Sequence, residues 1–153
     1  MLEVILYTDG AARGNPNGPG GYGIVLKVRN DDGEEHEYEY SAGFKRTTNN
    51  RMELLAVIVG LEALKEAANV LVVSDSKYVT DAFNKDWISN WKASGWKTAS
   101  HKPVKNPDLW MRLLKAMKNH NVTFKWVKGH DGHEENERCD KLATEAADKV
   151  DKK

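Results

Sequence analysis

Cysteine is nearly absent: among 153 residues there is one, Cys139. No internal disulfide can form and an all-cysteine zinc site is excluded, while a lone thiol suits a reducing compartment. Long apolar runs are missing as well; nothing approaches the roughly 20 residues that a bilayer-spanning helix needs. Residues 1–7 lack a basic stretch and are too short for a secretory signal. These absences lead to the expectation of a cytoplasmic protein without membrane attachment. Internal repeats, linkers and low-complexity segments are also lacking. What remains is ordinary globular material, 40% hydrophobic and 30% charged, which argues against wholesale disorder. A chain of this length buries a core without a metal or disulfide staple. The expectation is a single domain over residues 1–153, with an ordered core of about 2–148. No oligomerisation signal is visible, so a monomer without an obligate protein partner is expected.

Net charge of either sign is lacking too, 23 Lys and Arg balancing 23 Asp and Glu. The balance conceals an asymmetry. Residues 31–39 hold six acids (Asp31, Asp32, Glu34, Glu35, Glu37, Glu39) and no Lys or Arg. Residues 85–105 hold five lysines against the single Asp86. Binding responds to local potential rather than to the total, so a neutral sum does not exclude a nucleic-acid partner. For the acidic stretch, a solvated surface is reading enough.

Hydrophobic patterning predicts an α/β order. Residues 3–8 form a β-rich apolar run, followed over 11–21 by a loop dense in Gly, Pro and Asn. Strands over 22–29 and 35–44 flank the hairpin signal Asn-Asp-Asp-Gly at 30–33 and should pair antiparallel. A long helix over 50–67 is apolar around much of its circumference (Leu54, Leu55, Val57, Ile58, Leu61, Leu64), which implies deep burial. A buried strand at 70–73, a short helix to about 83, helices over 87–95 and 107–120, a strand over 122–127 and a closing helix over 134–150 complete the chain. The order β-β-β-α-β-α-α-α-β-α describes a mixed sheet covered by helices.

Two strands end alike, Tyr7-Thr8-Asp9-Gly10 and Val73-Ser74-Asp75-Ser76. Ligands of open α/β sheets bind outside the carboxyl ends of the strands, so parallel neighbours would aim Asp9 and Asp75 into one crevice. The alternative is turn chemistry at Asp9 and a helix cap at Asp75. Glu53 shares a helical face with Val57, Ile58 and Leu64 and leans toward buried surface, where a carboxylate is expensive unless paired, hydrogen-bonded or metal-bound. Its alternative is a capping box with Asn50 as N-cap, which would point the side chain at the helix start. Asp140 lies beside an apolar stripe of Cys139, Leu142, Ala143 and Ala146. Read alone it is a surface charge, and no spacing brings it to the other three.

Five blocks occur in a family order: 8–10 (Thr-Asp-Gly), 15–23 (Asn-Pro-Asn-Gly-Pro-Gly-Gly-Tyr-Gly), 47–53 (Thr-Thr-Asn-Asn-Arg-Met-Glu), 74–76 (Ser-Asp-Ser) and 126–140 (Trp-Val-Lys-Gly-His-Asp-Gly-His-Glu-Glu-Asn-Glu-Arg-Cys-Asp). Together they resemble ribonuclease H of the bacterial type, type 1, over residues 7 to about 147. The resemblance implies a ribonuclease H-like fold, a five-stranded mixed sheet of order 3-2-1-4-5 with helices on both faces. It implies an enzyme that cuts the RNA strand of an RNA/DNA hybrid, with Asp9, Glu53, Asp75 and Asp140 as the four metal-binding acids. Two divalent ions about 4 Å apart suit phosphodiester hydrolysis, and hard oxygen ligands suit Mg²⁺, with Mn²⁺ as substitute, rather than zinc. Four clustered carboxylates repel one another without metal, so coupled and partly raised pKa values are expected.

The resemblance also makes His130 a proton shuttle at the attacking or leaving oxygen; the plain alternative is a surface loop histidine. It matches Asn15, Thr48, Asn49 and Asn50 to contacts with the sugar–phosphate backbone and 2′-hydroxyls. Trp87, Trp91 and Trp96, interleaved with Lys92, Lys97, Lys102 and Lys105, resemble a basic protrusion gripping the DNA strand, and Asn106 follows it as a further substrate contact. Trp87 and Trp91 stand at i, i+4, so at least one should pack the protrusion onto the domain. Rival readings are an integrase-like DNA-processing core, a catalytically weak hybrid-binding relative, and a zinc site from His130, His133 and Cys139.

Overall fold

The computed structural model describes residues 1–14, 17–129 and 133–151. Asn15 and His130 lie outside the described residues. Leu2–Ala12 (β1) pairs antiparallel with Gly18–Arg29 (β2), which pairs antiparallel with Glu35–Thr47 (β3). The expected turn at 30–33 is present, with Gly33 N–H donating to the Asn30 carbonyl at 2.9 Å. Asn49–Glu62 (α1) carries the chain over to Ala68–Ser74 (β4), which runs parallel to β1. Lys77–Asn84 (α2), Trp87–Ala93 (α3) and Pro107–Met117 (α4) lead to Asn121–Trp126 (β5), parallel to β4, and Glu134–Asp151 (α5) closes the chain. The sheet order is β3-β2-β1-β4-β5, as the resemblance implied.

Alternation along the strands sorts the residues onto two faces. Val4, Leu6 and Thr8 of β1, their partners Val28, Leu26 and Ile24 on β2, and Val70 and Val72 on β4 are all buried. Their face packs on α1, whose Gly60 lies so close that a Cβ there would sit 2.4 Å from the Leu6 side chain. α4 packs behind α1 with Trp110 and Leu113 fully buried. Two ion pairs, Arg51 with Asp108 and Arg112 with Glu62, span the same two helices. α1 is thus enclosed on two sides, which is why its apolar residues run so far around it.

The opposite face is covered by α5 through Cys139, Ala143, Ala146 and Ala147, all buried. The helix lies directly on β2: a Cβ on Gly23 would stand 2.2 Å from the Cys139 carbonyl oxygen. α5 leaves the far end of this face open, and a cavity of about 730 Å³ there is lined by Ile5, Lys27, Arg29, Glu37 and Leu71 among others. Among the described residues no helix is long and apolar enough to cross a membrane.

Several boundaries differ from the sequence expectation, two of them near the site. Part of the Gly/Pro-rich stretch expected as a loop over 11–21 is strand, because β1 runs to Ala12 and pairs with Gly20. The backbone ladder and the close seat of α5 need glycine here, so a composition that reads as loop belongs to a strand. Helix α1 begins at Asn49 and ends at Glu62 rather than spanning 50–67, since residues 63–67 turn the chain so that Ala68 can pair beside Leu2. Its N-cap is Thr48, whose hydroxyl accepts the Arg51 N–H at 3.2 Å. The capping box with Asn50 is therefore not formed, and Glu53 is freed from the helix start.

Candidate active site

The Tyr7–Val73 pair ends the parallel ladder between β1 and β4, and each chain then continues by two residues to an aspartate. Asp9, still paired with β2, and Asp75, just past the end of β4, consequently stand side by side where the parallel ladder stops. Asp75 does not cap α2; Ser76 does, its hydroxyl accepting the Val79 N–H at 3.3 Å. Instead the Asp75 carbonyl accepts a 2.9 Å bond from the indole of Trp126, tying the end of β4 to β5.

Glu53 joins them from α1. Gly10 makes that possible, because a Cβ there would lie 2.5 Å from the Glu53 backbone nitrogen. Only a residue without a side chain lets the first turns of α1 rest on the end of β1. One carboxylate oxygen from each of Asp9, Glu53 and Asp75 falls within 4.8 Å of the others. Asp9 is 7% exposed and Glu53 4%. Asp9 Oδ1 accepts the Gly10 N–H at 2.9 Å, whereas Glu53 Oε2 is buried with no hydrogen-bond partner.

Such crowding disfavours charge. Burial, then the neighbouring Asp75, pushes the Asp9 carboxyl up to about 8. Burial, then Asp9 and Asp75, raises Glu53 well above the usual carboxylate range. The expectation of coupled, raised acids thus holds for these two. A hole shaped from carboxylate oxygens, one of them unsatisfied, fits a hard divalent cation.

Asp140 approaches from α5. It lies outside the three-carboxylate group, yet it lines the same cleft of about 450 Å³ with Asp9, Glu53, Asp75 and Asn49. Its charge reaches Asp9 and helps to raise it. Only the seat of α5 on the glycines of β2 brings it there, which is why no sequence spacing announced it. The chain's carboxylates therefore converge from four elements that are far apart in sequence.

The RNase H family model matches residues 1–148. The chain belongs to the RNase H family. It is 61% identical to a protein named ribonuclease H from Lachnoclostridium phytofermentans, over 96% of this chain and 93% of that one. The crystal structure of LC9-RNase H1, described as a type 1 RNase H with the type 2 active-site motif, superposes with a TM-score of 0.85 at 31% identity, covering 97% of this chain and 73% of that chain. LC11-RNase H1, solved in complex with an RNA/DNA hybrid, gives a TM-score of 0.60 at 28% identity over 96% of this chain and 98% of that chain.

The remaining candidates surround this RNase H site unevenly. Asn49 lines the carboxylate cleft, Thr48 caps α1, and Asn50 is exposed beside them. Trp87, Trp91 and Trp96 are half-buried and packed against the core. Trp91 is their hub, 5.3 Å edge-on from Trp110 and 6.3 Å from each of the other two. The tryptophans thus serve the packing of the protrusion, as the i, i+4 spacing anticipated, while Lys92, Lys97, Lys102 and Lys105 are exposed. Asn106 sits at the start of α4 with its amide held by Arg51 and Tyr78. Cys139 is fully buried and its thiol is pushed up to about 12, first by burial. A neutral thiol of this kind is a poor zinc ligand.

Sequence reasoning passed over Asn136. Its Oδ1 is buried without a partner, and the residue lines a small cavity with Asp9, Asp75, Lys128 and Asp140. The available signal was its i, i+4 relation to Asp140, which puts both on one helix face.

Proposed function

We propose that the protein is a metal-dependent endoribonuclease that hydrolyses the RNA strand of RNA/DNA hybrids, acting as a single-domain monomer in the cytoplasm. The observation that carries this is the convergence of Asp9, Glu53 and Asp75, with an unsatisfied buried oxygen, at the carboxyl end of parallel strands in an RNase H fold. Asp9, Glu53, Asp75 and Asp140 would hold two Mg²⁺ ions, with Mn²⁺ as substitute. When bound, the ions supply the positive charge that lets an anionic nucleophile approach an anionic phosphate.

The chain's own groups do the rest. The carboxylates would hold the ions and, in doing so, relieve their own mutual repulsion. His130 moves a proton at the attacking or leaving oxygen. Asn15, Thr48, Asn49 and Asn50 contact the sugar–phosphate backbone, and neutral amides that both donate and accept suit a 2′-hydroxyl. Lys92 and Lys105 neutralise phosphates, Trp87 and Trp91 support the protrusion that carries them, and Asn106 adds a further donor.

The test incubates the protein with a labelled hybrid and Mg²⁺, beside all-RNA and all-DNA duplexes. Cleavage confined to the RNA strand of the hybrid, abolished by EDTA and by Asp9→Asn, is expected. Retained hybrid binding without cleavage in either metal would reduce the protein to a binding relative, and cleavage of the DNA duplex would move it to a DNA-processing class. His130→Ala should slow turnover while sparing hybrid binding; unchanged turnover removes His130 from the mechanism.

A further inference from the structure

Arg51 makes four hydrogen bonds at the junction of α1 and α4. Its backbone N–H donates to Thr48 Oγ1 at 3.2 Å. Its Nη1 donates to Asn106 Oδ1 and to Asp108 Oδ1, both at 3.1 Å, and its Nη2 to Asp108 Oδ2 at 2.8 Å. Asn106 in turn donates from Nδ2 to the Tyr78 hydroxyl at 3.1 Å, an oxygen that also takes the Trp110 indole N–H at 3.1 Å. Asn106 has a φ of 58°, a left-handed backbone that asparagine tolerates better than most residues. Both ends of its amide are anchored, one in α1 and one in α2.

These bonds have a directional consequence. A guanidinium has five N–H donors and no acceptor, so the amide atom facing Arg51 must be the oxygen. That fixes the amide: the oxygen is turned in, one N–H serves Tyr78, and the second N–H is left to donate. Thr48 is held separately, as the N-cap of α1, by the Arg51 backbone N–H, a bond that does not depend on the side chain at 51. The guanidinium thus occupies the acceptor of the Asn106 amide and leaves that amide with a proton to give.

We propose that Arg51 is a positioning residue for hybrid binding, its guanidinium holding Asn106 as a donor toward the acceptor oxygens of a nucleic-acid backbone. The inference rests on the reading of Asn106 as a hybrid contact. Without Arg51 the Asn106 amide is free to turn and present its oxygen to an anionic backbone. Arg51 itself touches no substrate in this scheme.

The test compares Arg51→Ala, Arg51→Lys, Asn106→Ala and the Arg51→Ala/Asn106→Ala double variant in hybrid cleavage at fixed ionic strength. Arg112→Ala is the control, because the Arg112–Glu62 pair spans α1 and α4 with bonds of 3.0 and 2.7 Å but lies at the other end of α1. Arg51→Ala should raise KM about tenfold, the scale of one lost hydrogen bond to a charged ligand, with kcat within about twofold. Lysine cannot reach Asn106 and both Asp108 oxygens together, so Arg51→Lys should raise KM about threefold. The double variant should match Asn106→Ala, since Arg51 acts through that residue. Arg112→Ala should lower the melting temperature and leave KM unchanged. If Arg51→Ala changes only stability, as Arg112→Ala does, or if its KM effect adds in full to that of Asn106→Ala, Arg51 is structural. A raised KM in Asn106→Ala but not in Arg51→Ala sinks this inference alone. An unchanged KM in Asn106→Ala overturns the contact reading and this inference with it. Should Arg51→Ala lose its cooperative unfolding transition, Arg51→Lys carries the comparison.

Discussion

Replacing Asp9 by asparagine should stabilise the metal-free protein at neutral pH. Burial, then the charge of Asp75, raises the Asp9 carboxyl from 3.8 to about 8, so the folded chain keeps a proton that the unfolded chain has released. Below the lower value both states are protonated and the group contributes nothing. As pH rises through that window, each unit removes ~1.4 kcal/mol of stability, and above the upper value the loss is complete. At pH 7 the penalty reaches roughly 4 kcal/mol. Asparagine escapes it and still offers an oxygen to the Gly10 N–H, bonded at 2.9 Å in the parent. Its new NH₂ group has to find an acceptor in the cleft, a cost of about 1–2 kcal/mol if it fails. The net gain should be about 2 kcal/mol at pH 7 and should shrink as pH falls, turning into a loss of about 1–2 kcal/mol near pH 4, where only the amide's own cost remains. Urea unfolding followed by circular dichroism in EDTA, at several pH values from 4 to 8, measures it directly. Added Mg²⁺ should reverse the ranking, since the parent gains binding energy and the variant loses a ligand. A stability difference that is flat across this range, or a variant less stable than the parent in EDTA at pH 7, would refute the account of the crowded carboxylates.

Three further outcomes follow from particular contacts. Gly23→Val should cost about 3 kcal/mol or more, because its Cβ would meet the Cys139 carbonyl oxygen at 2.2 Å and lift α5 from the sheet; a melting temperature within a few degrees of the parent would mean that α5 can shift freely. His120 accepts the Ala68 N–H through Nδ1 at 3.1 Å, and burial lowers its pKa below 6.5. Its contribution is therefore whole above pH 6.5 and is lost as pH falls below that value toward the folded pKa, which is best read in the Asp9→Asn background by comparing His120→Asn at pH 5 and 8. A pH dependence unchanged by that substitution would remove His120 as its source. Lys105 is exposed beside the tryptophan-packed protrusion, and Lys105→Ala should reduce the salt-dependence slope of hybrid binding by about one phosphate contact; an identical slope would take Lys105 off the binding surface.

By itself the sequence determined the class of the fold and the order of its elements. Period-two and helical patterns carry those facts because each strand or helix must bury one face wherever it sits. Asp9 and Asp75 were legible as a pair, since parallel strands place the residues that follow their shared ladder together. Five sequence blocks were enough to identify the family. Four things were decided only by tertiary structure. The glycine-rich start of β2 is strand and not loop, because α5 lies on it too closely for side chains. Thr48 rather than Asn50 caps α1, which turns Glu53 from a cap into a buried carboxylate facing Asp9. Asp140 reaches the cleft only through the docking of α5, and Arg51 meets Asn106 only because α1 and α4 pack side by side. Propensity and spacing act over a few residues, whereas these contacts join positions far apart in the chain and exist only once the sheet has brought its two faces together.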